Sequence, residues 1–173
     1  MSRLYSIVIC LGIFTFSFAA TNNEGGRRVS ILNYTDCIEL SNDATVVILG
    51  HQAGGRVLKY EWSGEDALYL DPKEATWKPG QRIGSTPVTA GRFDIGPEYL
   101  IPNRKKLWSG DWTAEVIGPR AARLTSQKDE STGVQLIREF RLDEESSQLE
   151  CRQVIKNISN EVKRWSHWSR TFA

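Results

Sequence analysis

Residues 134–155 constrain the fold of this chain more than any other stretch. Val134, Leu136, Phe140 and Leu142 recur with a period of two, and Arg138 is the one charged residue on that side. Asp143-Glu-Glu-Ser-Ser follows as a polar turn, and Leu149, Cys151 and Ile155 then resume the alternation. On a helix this spacing would scatter the apolar residues around the axis, whereas on a strand it gathers them on one face. The spacing predicts an antiparallel hairpin with a long turn.

The same rhythm runs through most of the chain. Residues 35–41 alternate, and Asn42-Asp43 supplies a turn. Residues 45–49 are β-branched and apolar, as a buried strand requires. His51-Gln-Ala-Gly-Gly turns the chain into 56–62, where strict alternation sets Val57 against Leu58, Tyr60 and Trp62. Further short strands are expected at 67–70, 112–117, 122–126 and 162–172. Residues 71–102 carry Pro72, Pro79, Pro87, Pro97 and Pro102 together with Gly80, Gly84, Gly91 and Gly96. Proline removes ladder donors and glycine loosens backbone, so this stretch is expected to be a long loop. No long helix and no internal repeat is predicted. The expected fold is all-β, an antiparallel β-sandwich.

The beginning of the chain reads as an export signal. A basic start at Arg3 precedes a largely apolar run over 4–18, and Ser17 and Ala19 offer small residues for cleavage. The run is shorter than the roughly 18 residues that span a bilayer. The organisation expected is a signal peptide over 1–19, a flexible mature N-terminus over 20–28 and a β-sandwich domain over 29–173. That domain is expected in the periplasm or outside the cell, with no membrane contact after cleavage. The last expected strand runs up to Ala173, which suggests the N-terminal part of a larger, truncated sandwich.

Charge excludes other classes. The chain has 22 Lys and Arg against 21 Asp and Glu, and the leader contributes only Arg3. No basic field is left to hold nucleic acid. Two histidines far apart, His51 and His167, without paired cysteines, make neither a zinc site nor a need for any cofactor. Cys37 and Cys151 remain after cleavage. They could be bridged in an exported chain, but the alternation around Cys151 favours buried thiols.

Four stretches carry a family resemblance: Gly54-Gly-Arg-Val-Leu-Lys-Tyr-Glu-Trp, Ala90-Gly-Arg-Phe-Asp-Ile-Gly-Pro-Glu, Gly133-Val-Gln-Leu-Ile-Arg-Glu-Phe-Arg-Leu-Asp, and Asn157-Ile-Ser-Asn-Glu with Trp165-Ser-His-Trp-Ser-Arg-Thr. In this order they resemble the galactose-mutarotase-like superfamily, the aldose 1-epimerases and their sugar-binding relatives. The resemblance implies a large two-sheet sandwich that binds a sugar and, in active members, opens and recloses its ring with a histidine acid and a glutamate base. It points to His167 as the acid and puts the base beyond Ala173. The flanking Trp165-Ser-His-Trp differs from the family's Asn-His-x-Tyr/Phe.

The candidate residues each have two readings. His167 titrates in the right range for proton transfer, or it is an ordinary strand histidine. Arg92, Asp94 and Glu98 suit hydrogen bonds to sugar hydroxyls, or they are surface loop charges. Trp165 and Trp168 can stack on sugar rings, whereas Trp62 and Trp112 are expected in the core. Alternation sets Trp165 and His167 on one face of their strand and Trp168 and Arg170 on the other. Substrate contacts are therefore expected from Arg92, Asp94, Glu98, Trp165 and Arg170, with a sugar as partner. An exported carbohydrate-binding protein, with aldose anomer interconversion if His167 is active, competes with a non-catalytic recognition or structural β-domain.

Overall fold

The computed structural model describes residues 26–76 and 88–173. The expected leader and Trp77 lie outside them. Eleven strands form two antiparallel sheets among the described residues. In chain order they are β1 (Arg27–Ile31), β2 (Tyr34–Ser41), β3 (Thr45–Gly50), β4 (Arg56–Trp62), β5 (Glu65–Asp66), β6 (Gly91–Gly96), β7 (Thr113–Gly118), β8 (Ala121–Thr125), β9 (Val134–Leu142), β10 (Leu149–Asn157) and β11 (Ser166–Thr171). Sheet A runs β1-β2-β3-β4-β6-β11, with β5 beside β4, and sheet B runs β10-β9-β8-β7. This is an all-β sandwich. No helix of the described residues is long and apolar enough to cross a membrane.

Alternation explains the packing. Ile38, Leu40, Val47, Leu49, Val57 and Ile95 of sheet A meet Ala122, Leu124, Val134, Leu136, Phe140 and Leu142 of sheet B in one buried core. β9 and β10 form the expected antiparallel hairpin, whose register pairs Leu142 with Leu149 and Phe140 with Cys151. The opposite face of sheet A has its own small core of Tyr34, Cys37, Ile48, Ala53 and Leu58, with Leu70 packed against it. The β2–β4 part of sheet A is thus packed on both faces.

Five expectations are corrected. The stretch 71–102 is not all loop, because Gly91–Gly96 is strand β6. Its alternation, Phe93 and Ile95 inward against Arg92 and Asp94 outward, is hidden by the glycines and prolines around it. The alternation expected of β4 is broken by a bulge: the register shifts between Ile48 and Leu49, so Val57 and Tyr60 both face the main core while Leu58 faces the small one. Trp62 is 60% exposed rather than core, since it pairs with Thr45 at the open end of its strand, whereas Trp112 is 2% exposed, as expected. Residues 67–70 form no strand; Leu68 packs against the main core and Leu70 against the small one. β1 begins at Arg27, so the ordered domain starts slightly before residue 29.

Cys37 and Cys151 are free thiols. Cys37 lies in the small core and Cys151 against the main one, so sheet A separates them. Burial pushes each thiol up to about 11, which leaves both protonated at neutral pH.

Two buried arginines tie these layers together. Arg56 donates to Glu74 at 2.5 Å, to the Tyr34 hydroxyl at 2.6 Å and to the Thr89 carbonyl at 2.6 Å, all on the outer face of sheet A. Arg138 is 1% exposed inside the main core, and among the described residues no carboxylate pairs with it. Its Nη1 donates to the Gly54 and Gly55 carbonyls and its Nη2 to the Phe93 carbonyl at 2.6 Å. Its guanidinium lies 4.3 Å from the Trp112 ring centre. Gly54 and Gly55 have positive φ, and a Cβ on Gly54 would stand 2.0 Å from the Trp108 carbonyl oxygen, so this turn needs glycine.

Candidate functional site

The outer face of β6 and β11 gathers most of the expected contacts. The register pairs Arg92 with Arg170, Asp94 with Trp168 and Gly96 with Ser166, and cross-strand partners share a face. Phe93 and Ile95 point into the main core, so Arg92, Asp94, Trp168 and Arg170 all point away from it. A one-turn helix, α1 (Lys105–Trp108), crosses the end of sheet A. It buries Leu107 in the main core and brings Trp108 under Arg92.

Three guanidinium–indole contacts result, one of them with Arg104 lying 5.2 Å from the Trp108 ring centre. Arg92 lies 3.5 Å from the Trp108 ring centre, with Phe172 5.8 Å away, and Arg170 lies 4.9 Å from the Trp168 ring centre. Asp94 sits two residues along β6 from Arg92 and is 2% exposed. Arg104 holds its Oδ2 with Nε at 2.8 Å and Nη2 at 2.6 Å. Asp94 Oδ1 is buried and has no hydrogen-bond partner. Glu98 reaches this face from the turn after β6, 3.9 Å from Arg170, with both side chains about half exposed.

Arg92 is the unmatched charge of the group. Among the described residues it makes one hydrogen bond, from Nη1 to the Val88 carbonyl at 3.0 Å, and no ion pair. Burial, then the nearby charge of Arg170, push its guanidinium down to about 10, so it stays cationic at neutral pH. The face therefore offers unused donors on Arg92, an unused acceptor on Asp94 and two indole rings.

His167 and Trp165 stand elsewhere. His167 pairs with Ile95, on the side of sheet A that faces the main core, but at the edge of the sheet it is exposed. Trp165 is half-buried against the main core and donates its indole N–H to the Thr132 carbonyl at 3.1 Å. The division of Trp165 and His167 from Trp168 and Arg170 is the one alternation predicts. The structure brings Arg92, Asp94, Glu98 and Arg170 together and leaves His167 and Trp165 across the sheet. Arg104 and Trp108 were not among the expected contacts. Nothing in the run Asn103-Arg-Lys-Lys-Leu-Trp distinguishes them from surface residues; only the chain path over β6 does.

His51 is a turn residue held by structure. Its Nδ1 is 2.8 Å from the Trp112 carbonyl and 3.4 Å from Asp111. No group of His, Cys, Asp and Glu among the described residues is arranged to hold a metal. Comparison of the chain with protein-family models, with curated proteins and with solved structures gave no match.

Proposed function

We propose that this chain is an exported carbohydrate-binding protein of the galactose-mutarotase type, which holds its sugar on the outer face of β6 and β11. The observation that carries the reading is the pairing of orphaned groups on that face. A buried carboxylate oxygen without a partner, Asp94 Oδ1, lies beside a guanidinium with unused donors, Arg92, between the Trp108 and Trp168 rings. Vicinal sugar hydroxyls both donate and accept, and their C–H faces stack on indoles, so a pyranose matches each of these groups. A buried acceptor left unmade is costly, and a ligand hydroxyl removes that cost.

The same geometry favours recognition over ring opening by His167. A proton donor must come within hydrogen-bond reach of the ring oxygen, and His167 stands on the other face from Asp94. Polarimetry is therefore expected to give the same anomerisation rate for wild type and His167→Ala. A rate lost in the variant would restore the catalytic role.

Binding is tested by titrating tryptophan fluorescence with a panel of aldoses, uronic acids and short glycans. Saturable binding is expected for wild type. Asp94→Asn should weaken it by about 10-fold or more, since hydrogen bonds to charged groups are worth about 1.5–3 kcal/mol. Trp168→Ala should weaken it too. Wild-type affinity in both variants would place the ligand elsewhere.

Export rests on the leader sequence. N-terminal sequencing of the secreted protein is expected to start near Ala20, and an intact Met1 on exported protein would contradict it.

A further inference from the structure

The charges on the sugar-binding face do not balance. Three guanidinium groups, Arg92, Arg104 and Arg170, share it with two carboxylates, Asp94 and Glu98. Arg104 takes Asp94 through two short bonds, and Glu98 answers Arg170 across 3.9 Å. Arg92 is left over. Residues 77–87, Trp-Lys-Pro-Gly-Gln-Arg-Ile-Gly-Ser-Thr-Pro, contain no Asp or Glu, so that stretch brings no acid to it either.

A buried guanidinium without a paired carboxylate needs other acceptors: Arg138 has three backbone carbonyls, whereas Arg92 has one, so the remaining donors of Arg92 suit an anion from outside. The indole beneath Arg92 fixes the plane of its guanidinium, and one Nη1 bond to Val88 anchors one edge. That leaves a planar, pre-oriented edge of donors, the geometry that matches a carboxylate by two parallel hydrogen bonds. Two residues along the same strand, Asp94 Oδ1 waits for a hydroxyl donor. A molecule that carries a carboxylate beside ring hydroxyls satisfies both at once.

We infer that the ligand is an acidic sugar, a uronic acid or a glycan ending in one, whose carboxylate pairs with Arg92 while a ring hydroxyl donates to Asp94. This rests on the sugar-binding reading above and narrows it to a substrate class. Neutral sugars leave Arg92 without a directly paired anion. A sugar phosphate shares the negative charge but not the planar fork.

The test is calorimetric titration of the full chain with galacturonic acid, glucuronic acid, galactose, glucose and glucose 6-phosphate, at low and high salt. Each uronic acid is expected to bind about 10-fold or more tighter than its neutral counterpart, because a charge-assisted pair replaces a neutral contact. That preference should shrink with added salt. In Arg92→Gln the ratio of acidic to neutral affinity should fall to about one, and Arg92→Lys, which keeps the charge without the fork, should retain part of it. If Arg92→Gln does not fold, the wild-type ratio and its salt dependence decide alone. Equal affinities for acidic and neutral sugars would overturn the inference and leave the sugar site standing. Tighter binding of glucose 6-phosphate than of either uronic acid would overturn it in favour of phosphate. Binding of none of the five, with none in the wider sugar panel, would overturn both readings together.

Discussion

Glu74→Ala is expected to lower the unfolding free energy by about 3–5 kcal/mol, the effect of leaving a buried charge without its partner. Glu74 and Arg56 are each 1% exposed. Glu74 Oε1 accepts from the Thr89 backbone N–H at 2.7 Å and the Thr89 hydroxyl at 2.6 Å, and Oε2 accepts from Tyr34 at 2.6 Å. Removing the carboxylate strands all of these donors and the Arg56 cation. Replacing both charges, Arg56→Met with Glu74→Leu, should recover a good part of the loss, because an apolar pair needs no desolvation of charge. Urea denaturation of the three variants measures this. A double variant as unstable as the sum of the singles would show that the pair is not the coupled unit described here.

Acid should act on the same carboxylate. Burial alone would push Glu74 up, but the hydrogen bond and charge of Arg56, with the donors of Thr89 and Tyr34, outweigh it and hold the carboxyl below its ordinary value. A depressed folded value means that the stabilisation is complete above the unfolded carboxylate range, at about 4.3, and is lost as pH falls through the lower folded value. Wild type should therefore lose stability on the acid side more steeply than Glu74→Gln. The consequence reaches the proposed sugar site, since Glu74 holds Thr89 and the adjacent Val88 carbonyl anchors Arg92.

Arg138→Ala is expected to cost about 3–5 kcal/mol, comparable to removing a large core side chain. Three backbone carbonyls would lose their donor and the Trp112 face its cation, and a cavity would open between the sheets. Arg138→Met fills most of that volume and relieves the burial that pushes this guanidinium down to about 10. It should cost only about 1–3 kcal/mol, the residue being the unsatisfied carbonyls. Hydrogen exchange should accelerate around Gly54 and Gly55 in both variants, since Arg138 is what pins that turn to sheet B. Unchanged stability in Arg138→Ala would contradict the stapling role.

Where the sequence was informative and where it was not follows from what each signal depends on. The β9–β10 hairpin was legible because one face is buried along its whole length, so apolar residues recur at every second position. Even Arg138 announced itself there as a charge on the apolar side. β6 was hidden because its apolar side is only Phe93 and Ile95 between two glycines. The inversion after Leu58 was unreadable, since a bulge is a property of pairing and leaves no mark in one strand alone. Trp62 is exposed, against expectation, because its strand pairing ends where the sheet ends, which composition does not reveal. In the site, Arg92, Asp94, Glu98 and Arg170 were visible as chemistry-bearing types. Arg104 and Trp108 come to the face only through the path of residues 97–112, a long-range matter that no local pattern encodes.

The claim that a sugar lies on the outer face of β6 and β11 is tested most directly by mapping side-chain and amide NMR shifts during titration with galacturonic acid. The Trp108 and Trp168 indole N–H signals and the Arg92, Asp94 and Arg104 signals are expected to move together with one saturation curve. The indole N–H of Trp165, bonded to Thr132 on the other side of sheet A, should stay in place with the His167 ring. Shifts centred on His167 and Trp165, with Asp94 and Trp168 unmoved, would contradict the account.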